Sequence, residues 1–530
     1  MADAVAQTPP ALHAPSDKER KYDRQLRLWA ASGQAALESA NILLVNSGCG
    51  TVGVETLKNL VLPGIGRFTI ADEAVVGDGD LGVNFFLDES CRGKSRARCC
   101  TRLLQELNPE VSGDWHPKSD SPMHLRGLLD SSDAFTIILY TLPLKMDQVD
   151  ILTAYAREHH IPLIAVHSVG FYSYFSTRLP GTFPVVETHP EEAANADLRL
   201  LNPWPELAEF ASDMTRDMDS LDDHDHGHLP LVVILLHYLS VWRKSHGNFN
   251  PTSYEDKVAF RGLIAEAMRR NNPEGGEENF DEAVAAVMKL VTSHPLPGSL
   301  RQVFDHRDQS EDQCQSTFWT IAQAVKQFYE KYQELPLAGA LPDMKAKSDV
   351  YVKLQCLYKD KARRDALQVF ATVRAMTGGD QVELTEVELF CKNARFIKLV
   401  NAVEGPSMEQ VIESELANDE AAAIPGVEMP RSLMPLYMAL TATSNVATAT
   451  AEEIVASIAQ RAPALAKNDR VAQVAEEVSR AAGGELHNIS AMTGGMVAQE
   501  VIKVITRQYI PIENTCVLDG IESRCQVLRL

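Results

Sequence analysis

The sequence predicts an α/β fold, a doubly wound and mostly parallel sheet interrupted by a large all-helical insertion. Three observations carry this. A complete strand, glycine turn, helix and second strand lie between residues 41 and 72. Strand and helix patterns alternate up to about residue 190, as a layered α/β domain requires. From about residue 195 to 482 strand signals are almost absent, and α/β texture returns only near the end.

The 41–72 unit organises the rest. Ile42, Leu43, Leu44 and Val45 form a short, branched apolar run of the kind that becomes a buried parallel strand. Gly48-x-Gly50-x-x-Gly53 follows, with Val54, Leu57, Leu60 and Val61 at helical spacing after it. A second strand over 68–71 delivers Asp72, nineteen positions after Gly53. That is the order of a nucleotide-binding βαβ unit. Glycines suit it because backbone N–H groups at a helix N-terminus reach a phosphate only where no Cβ intervenes. The competing account is a tight turn with close packing and no ligand.

A chain of 530 residues suggests about three domains. The charge balance, 50 − 72 = −22, argues against nucleic acid or an anionic membrane as partner. Nine cysteines without a single CxxC fit a reducing compartment and give no support to a four-thiolate zinc site, so no metal is expected. The first twenty residues lack the apolar core of a secretory signal, and no run of 18 apolar residues offers a membrane span. The expected location is cytoplasmic and nuclear.

Along the chain, residues 1–17 carry Pro9, Pro10 and Pro15 among small residues and read as a disordered lead-in. In the next segment Tyr22, Leu26 and Trp29 fall on one helical face, with Arg20, Arg24 and Arg27 opposite. Such an arginine stripe is either a solvated face or a hand offered to an anionic site. Residues 72–97 read as irregular backbone. A helix over 94–107 stops before Pro109. Strands follow at 135–139 and 162–166 with a helix over 146–158 between them, and a half-exposed strand at 170–178. The insertion's helices are expected at 231–242, 254–270, 280–291, 316–332, 350–376 and 408–416, with polar, proline-bearing connectors at 272–276 and 335–344. A helix over 496–506 and a strand around 516–518 complete the sheet domain. The expected division is a lead-in (1–17), the first part of the α/β domain (18–194), the helical insertion (195–482) and a closing segment (483–530).

Together these blocks resemble a known family. Tyr22 to Trp29 (YDRQLRLW), the glycine turn, Leu62-Pro63-Gly64-Ile65-Gly66, the strand ending in Asp72 and the GKSRA block at 93–97 are similar to the Rossmann-like adenylating domain of enzymes that activate ubiquitin-like proteins, the ThiF/MoeB-like superfamily. The block at 485–509 resembles that domain's closing helix. Two stretches of the insertion, 197–207 and 341–366, resemble the regulatory branch, which lacks the catalytic cysteine and serves Nedd/Rub-type modifiers.

The resemblance implies an obligate heterodimer with a cysteine-bearing activating subunit, a Nedd/Rub-type modifier as substrate, and a conjugating enzyme downstream. It also marks departures. By alignment the family's second loop acid falls on Ala74, its phosphate-binding arginine on Val83, the asparagine before that on Gly82, and its lysine on Arg96. The strand that should end in a magnesium carboxylate ends Leu139-Tyr140-Thr141-Leu142-Pro143. Losing one preorganised charge costs on the order of 3 kcal/mol in transition-state stabilisation. The resemblance therefore implies a vestigial loop at Gly48, Gly50, Gly53 and Asp72, no cofactor in this chain, and ATP and magnesium on the partner. It implies that Arg24 acts in trans in the partner's ATP site, where a guanidinium bridges two phosphate oxygens. Arg20, Arg27 and the loop carrying Leu335, Pro336, Pro342, Asp343 and Met344 are the expected partner interface. Cys314, Cys356 and Cys391 are expected to be structural, with Cys356 in a core. The acid–histidine run at 222–228 is expected to be a solvated loop and not a metal site. Two other functions remain open at this point, a matching subunit for a SUMO-type modifier and a self-sufficient NAD-dependent enzyme whose ribose acid is Asp72.

Overall fold

The computed structural model describes residues 14–118, 123–190, 197–269, 276–306, 317–400, 405–422, 424, 429–446 and 448–530. Two compact units emerge, one made by the chain up to Val185 and from Val400 onward, the other by Val186–Leu399.

The first unit is built on an eight-stranded sheet. Its strands are β1 (Asn41–Val45), β2 (Arg67–Ala71), β3 (Ser112–His116), β4 (Ile137–Thr141), β5 (Leu163–Val169), β6 (Tyr172–Arg178), β7 (Thr515–Asp519) and β8 (Arg524–Leu528). Their spatial order is β8-β7-β6-β5-β4-β1-β2-β3. β1 to β5 run parallel, with Leu44 opposite Ile70 and Leu139, and β6, β7 and β8 continue antiparallel. Chain order reverses between β1 and β4, which places a crevice at the carboxyl end of β1.

Strand alternation sends neighbouring side chains of β1 to opposite faces. Ile42 and Leu44 join Leu57, Leu104, Val497 and Val501 on one face, while Leu43 and Val45 join Tyr140 and Leu163 on the other. The first face is covered by α3 (Thr51–Val61), α5 (Arg96–Leu107) and α6 (His487–Thr506). The second is covered by helices Leu125–Ser131 and Met146–Glu158, and also by Met434–Ala442, Ala451–Arg461 and Arg470–Ala481. Those last three correct the expected division. Their Leu436, Ile454, Ile458, Val474 and Val478 lie in the same core as β1 and β4, so the return to the sheet domain comes near 400 and not at 483. Helical periodicity reports that a face is buried, and is silent about whether a sheet or another helix buries it.

Residues 1–13 of the expected lead-in lie outside the described residues. Ser16 already caps α1 (Asp17–Lys21), accepting from Glu19 N while Glu19 Oε2 accepts from Ser16 N, so residues 16 and 17 are not the disordered lead-in expected of them. α2 (Asp23–Ser39) is broken at Trp29 and Ala30, where Ala30 adopts φ 56. Tyr22 and Trp29 are buried as their spacing predicts, and Leu26 is half-buried. The edge strands β3 and β8 were not anticipated: β3, Ser-Gly-Asp-Trp-His, has no apolar run, and β8, Arg-Cys-Gln-Val-Leu, alternates over only five residues. Residues 72–97 are less irregular than expected, since α4 (Asp78–Val83) forms inside them.

The second unit is helical, with two cores. Leu231–Ser245 is almost wholly apolar along its first half and packs with Pro205–Thr215, Tyr254–Glu266 and Glu278–Leu290 around Phe260, Phe280 and Tyr358. Thr317–Tyr332, Ser348–Arg374 and Leu384–Lys392 enclose the other, around Val325, Val369 and Phe390.

The α3–α6 contact sets a measurable constraint. A Cβ on Gly494 of α6 would lie 2.8 Å from Thr56 N and 2.9 Å from Glu55 Cβ, whereas one on Gly495 meets nothing within 4 Å. Gly494→Ala should lower the unfolding free energy by about 1–3 kcal/mol through overpacking. Gly495→Ala should raise it by about 0.5–1 kcal/mol through helix propensity. Urea unfolding midpoints followed by circular dichroism measure both.

Candidate functional site

The crevice at the end of β1 is where the glycine turn lies. Gly48 and Gly50 adopt φ 61 and φ 64, and α3 starts at Thr51. A Cβ at Gly50 would sit 2.2 Å from Asn46 Nδ2, and one at Gly53 2.6 Å from Asn46 Oδ1 and 3.0 Å from Leu44 Cδ1. Here the glycines make room for the chain's own Asn46. That side chain is buried and donates through Nδ2 to Asp72 Oδ2 at 2.9 Å.

The helix N-terminus is engaged as well. Val52 N donates to Glu485 Oε2 at 2.8 Å, and the same oxygen accepts from Ser490 Oγ at 2.6 Å. Glu485 is buried, and that burial pushes its carboxyl pKa up, with the Ser490 and Val52 hydrogen bonds and nearby Arg96 opposing. An internal carboxylate thus holds a donor that the fingerprint offers to a phosphate. Glu485 was not anticipated as a site residue. It lies 433 residues from its partner, and no local spacing rule joins them.

Asp72 is spoken for on both oxygens. Arg96 meets it as a fork, Nε to Oδ2 at 2.7 Å and Nη2 to Oδ1 at 3.1 Å, and Ala74 N donates to Oδ1 at 2.9 Å. Through Nη1 the same guanidinium donates to Gly48 O and Cys49 O, both at 2.9 Å, and to Asp80 Oδ1 at 2.8 Å. Arg96 is 3% exposed and Asp72 2%. Burial alone would lower the arginine's pKa; Asp72 and Asp80 outweigh it and raise the value. The position where the family carries a lysine therefore holds the residue that locks the ribose-side acid to the glycine turn.

The other departures sit around this lock. Val83 closes α4 and its carbonyl accepts from His487 Nδ1 at 3.0 Å, while Tyr140, Thr141 and Leu142 are buried apolar or hydroxyl groups. Among the described residues no group of three or more His, Cys, Asp or Glu side chains is placed to hold a metal ion.

The arginine stripe is exposed, and its members differ. Arg20 lies 3.9 Å from Asp17, and Arg27 Nη2 lies 2.9 Å from Asp23. Arg24 is exposed and makes no hydrogen bond or ion pair to any described residue.

The loop expected to face a partner is corrected in part. Leu335, Pro336 and Met344 point inward, Leu335 in one core of the second unit and Met344 in the other. Pro342 is half-buried and Asp343 is exposed. The apolar residues of a proline-bearing connector read the same in a sequence whether they cover its own helices or a neighbour's. The acid–histidine run is also not a solvated loop, since Asp223–His226 is helical and His226 is buried. His226 Nδ1 lies 2.6 Å from Glu277 Oε1 and its ring stacks on Phe280. Cys391 is buried, which pushes its thiol pKa up. Cys356, expected in a core, is exposed on the helix Ser348–Arg374, because Leu354 and Tyr358 take the inward positions on either side of it. Cys314 lies outside the described residues.

Comparison with known proteins finds similarity over most of the chain. The ThiF family model matches residues 22–530. The NEDD8-activating enzyme E1 regulatory subunit of Xenopus laevis is 34% identical over 539 residues, covering 95% of this chain and 97% of that protein. The corresponding subunit of Danio rerio is 33% identical over 550 residues, with 97% and 99% covered. That of Drosophila melanogaster is 34% identical over 543 residues, with 97% and 98% covered.

The lock makes a stability prediction. Arg96→Ala leaves a buried carboxylate facing only neutral donors and should cost about 3–5 kcal/mol. Adding Asp72→Asn should recover a large part of that loss, because the stranded charge is then gone. Chemical denaturation of the two variants and the parent measures it.

Proposed function

Because the chain belongs to the ThiF family and, within it, to the NEDD8-activating enzyme E1 regulatory subunits, we propose that it is the non-catalytic half of a two-chain activating enzyme for a NEDD8/Rub-type modifier. The cysteine-bearing partner binds ATP and magnesium. It adenylates the modifier's C-terminal carboxylate by in-line attack on the α-phosphate and then takes the modifier onto its cysteine as a thioester. This chain contributes Arg24 across the interface and a docking surface for modifier and conjugating enzyme. It acts in the cytoplasm and nucleus; no helix among the described residues is long and apolar enough to cross a membrane.

One contrast carries the reading. The chain's own nucleotide turn is engaged from inside by Glu485, Arg96 and Asn46, while Arg24 stands exposed with no partner among the described residues. A buried fork with every oxygen of Asp72 taken leaves nothing for a ribose, which also speaks against an NAD-dependent enzyme. A guanidinium suits work at a distance. It stays charged at any working pH and stabilises charge that develops on transferring phosphates. The SUMO-type alternative has no observation in its favour, since the named relatives match end to end, insertion included.

Arg24→Ala should leave the lone chain's stability within about 0.5 kcal/mol of the parent, as expected for an exposed, unpaired side chain. In the assembled enzyme it should slow ATP–pyrophosphate exchange by about 10²-fold or more. Unchanged exchange removes Arg24 from the mechanism. Equilibrium dialysis of the lone chain against ATP and magnesium should show no saturable binding. Replacing Cys356 and Cys391 together should leave thioester formation unaltered.

A further inference from the structure

The second unit carries a cleft of about 380 Å³ between the helices Pro205–Thr215 and Leu231–Ser245. Its origin is legible in the two helices. On the first, Ala208, Ala211, Ser212 and Thr215 recur at three- and four-residue steps. On the second, His237, Ser240, Val241 and Lys244 do the same. Ala208, Ala211 and Ser212 are too small to fill the groove between the two helices, and a gap remains.

The wall of that gap is unusual for a chain of net charge −22. Arg216, Arg243, Lys244 and His237 line it, and no Asp or Glu does. Arg243 belongs to the lining and is held in place. Its Nε donates to Asn250 Oδ1 at 2.8 Å and its Nη2 to Leu201 O at 2.9 Å, both neutral acceptors. It is half-buried, and burial lowers its pKa with no carboxylate pulling the other way. Lys244 stands exposed at the rim and makes no hydrogen bond or ion pair to any described residue. The ring of His237 is half-buried, and burial lowers its pKa; Asp219 opposes that and Lys244 reinforces it. Arg216 is paired with Asp213, which lies outside the wall. The hydroxyls of Ser212 and Ser240 complete a set of donors.

A partly desolvated guanidinium held by neutral acceptors costs free energy that an incoming anion offsets. Cationic side chains in a concave wall that holds no carboxylate also raise the local potential against the sign of the whole molecule. The volume lies at the small end of ligand sites. A long polyanion would be repelled by the surrounding acidic surface, whereas a compact one fits inside the positive field. We propose that this cleft binds a small polyphosphate anion, with Arg243 as its fixed contact and Lys244, His237 and Ser240 as its movable contacts. The site lies in the helical unit and does not depend on the glycine turn or on Arg24.

Isothermal titration calorimetry of the complete chain at low ionic strength, with inorganic tripolyphosphate and separately with orthophosphate, tests this. The expected result is saturable one-to-one binding of tripolyphosphate. The Lys244→Ala/His237→Ala double variant should bind it at least about tenfold more weakly, the scale of one lost charge-assisted contact. A control variant, Lys353→Ala on the helix Ser348–Arg374, should bind as the parent does, and thermal unfolding should show all three proteins equally folded. Absence of saturable binding overturns the proposal. So does an affinity unmoved in the double variant, which places the anion elsewhere. Orthophosphate binding as tightly as tripolyphosphate overturns the assignment to a polyphosphate.

Discussion

The fork between Arg96 and Asp72 is the interaction on which the first unit depends. A doubly wound sheet opens a crevice where its strand order reverses, and that crevice exposes helix N-termini, glycine backbone and a strand-end acid all at once. In a nucleotide-binding protein the ligand satisfies them. Here the chain does so itself. Arg96 ties Asp72, Asp80 and two carbonyls of the glycine turn into one network, and Glu485 takes the N–H of Val52. A buried polar network of this kind is stable only when every member is satisfied, because each bond removed strands a partner in a low-dielectric interior. The network's position between β1, β2, α3 and α5 means that register, turn and helix packing all lean on it.

The same network changes what the glycines mean. In the sequence they read as a place kept clear for phosphate. In the structure the space above Gly50 and Gly53 is filled by Asn46, so the glycines are required by packing whether or not a ligand is present. Identical residues at identical spacing serve both arrangements, which is why the fingerprint alone could not separate them. The informative residue was Arg96, whose departure from lysine was visible in the sequence although its five hydrogen bonds were not.

Much of the layout was legible for a simple reason. β1 and β2 begin and end within a residue of their apolar runs, and α3 ends at Val61 where its pattern does, because local periodicity determines local structure when a sequence is strongly patterned. What stayed illegible is long-range. Glu485 reaches the turn from across the chain, and the helices between 434 and 481 pack on the sheet although nothing in their own pattern says so. Leu335 and Met344 were assigned to a partner and are used at home. Cys356 sits two positions from each of the buried Leu354 and Tyr358, about 160° round the helix from them, a difference that apolar neighbours disguised. In each case the residue's character was read correctly and its counterpart was not.

The retention of a closed site follows from α6. Its N-terminal end brings Glu485 and Ser490 to the glycine turn, and Gly494 lets it press against α3. Just past its C-terminal end, Gln508 Nε2 donates to Trp29 O at 3.0 Å and Tyr509 OH to Leu28 O at 3.2 Å. Those two carbonyls are available because α2 breaks at Ala30, where the helical ladder cannot use them. Tyr22, at the other end of the same short segment, is held by Asn108 Nδ2 at 3.0 Å. The segment that carries Arg24 is therefore pinned on both sides to the sheet domain, and one of the pins belongs to the helix that seals the turn. For the role proposed for Arg24, a backbone already in place is an advantage, since ordering it on binding would subtract from the stabilisation a guanidinium provides. Loosening the sealed turn would loosen α6, and with it the support under Arg24. That coupling gives the hydrogen-bonded turn a structural task that needs no bound ligand.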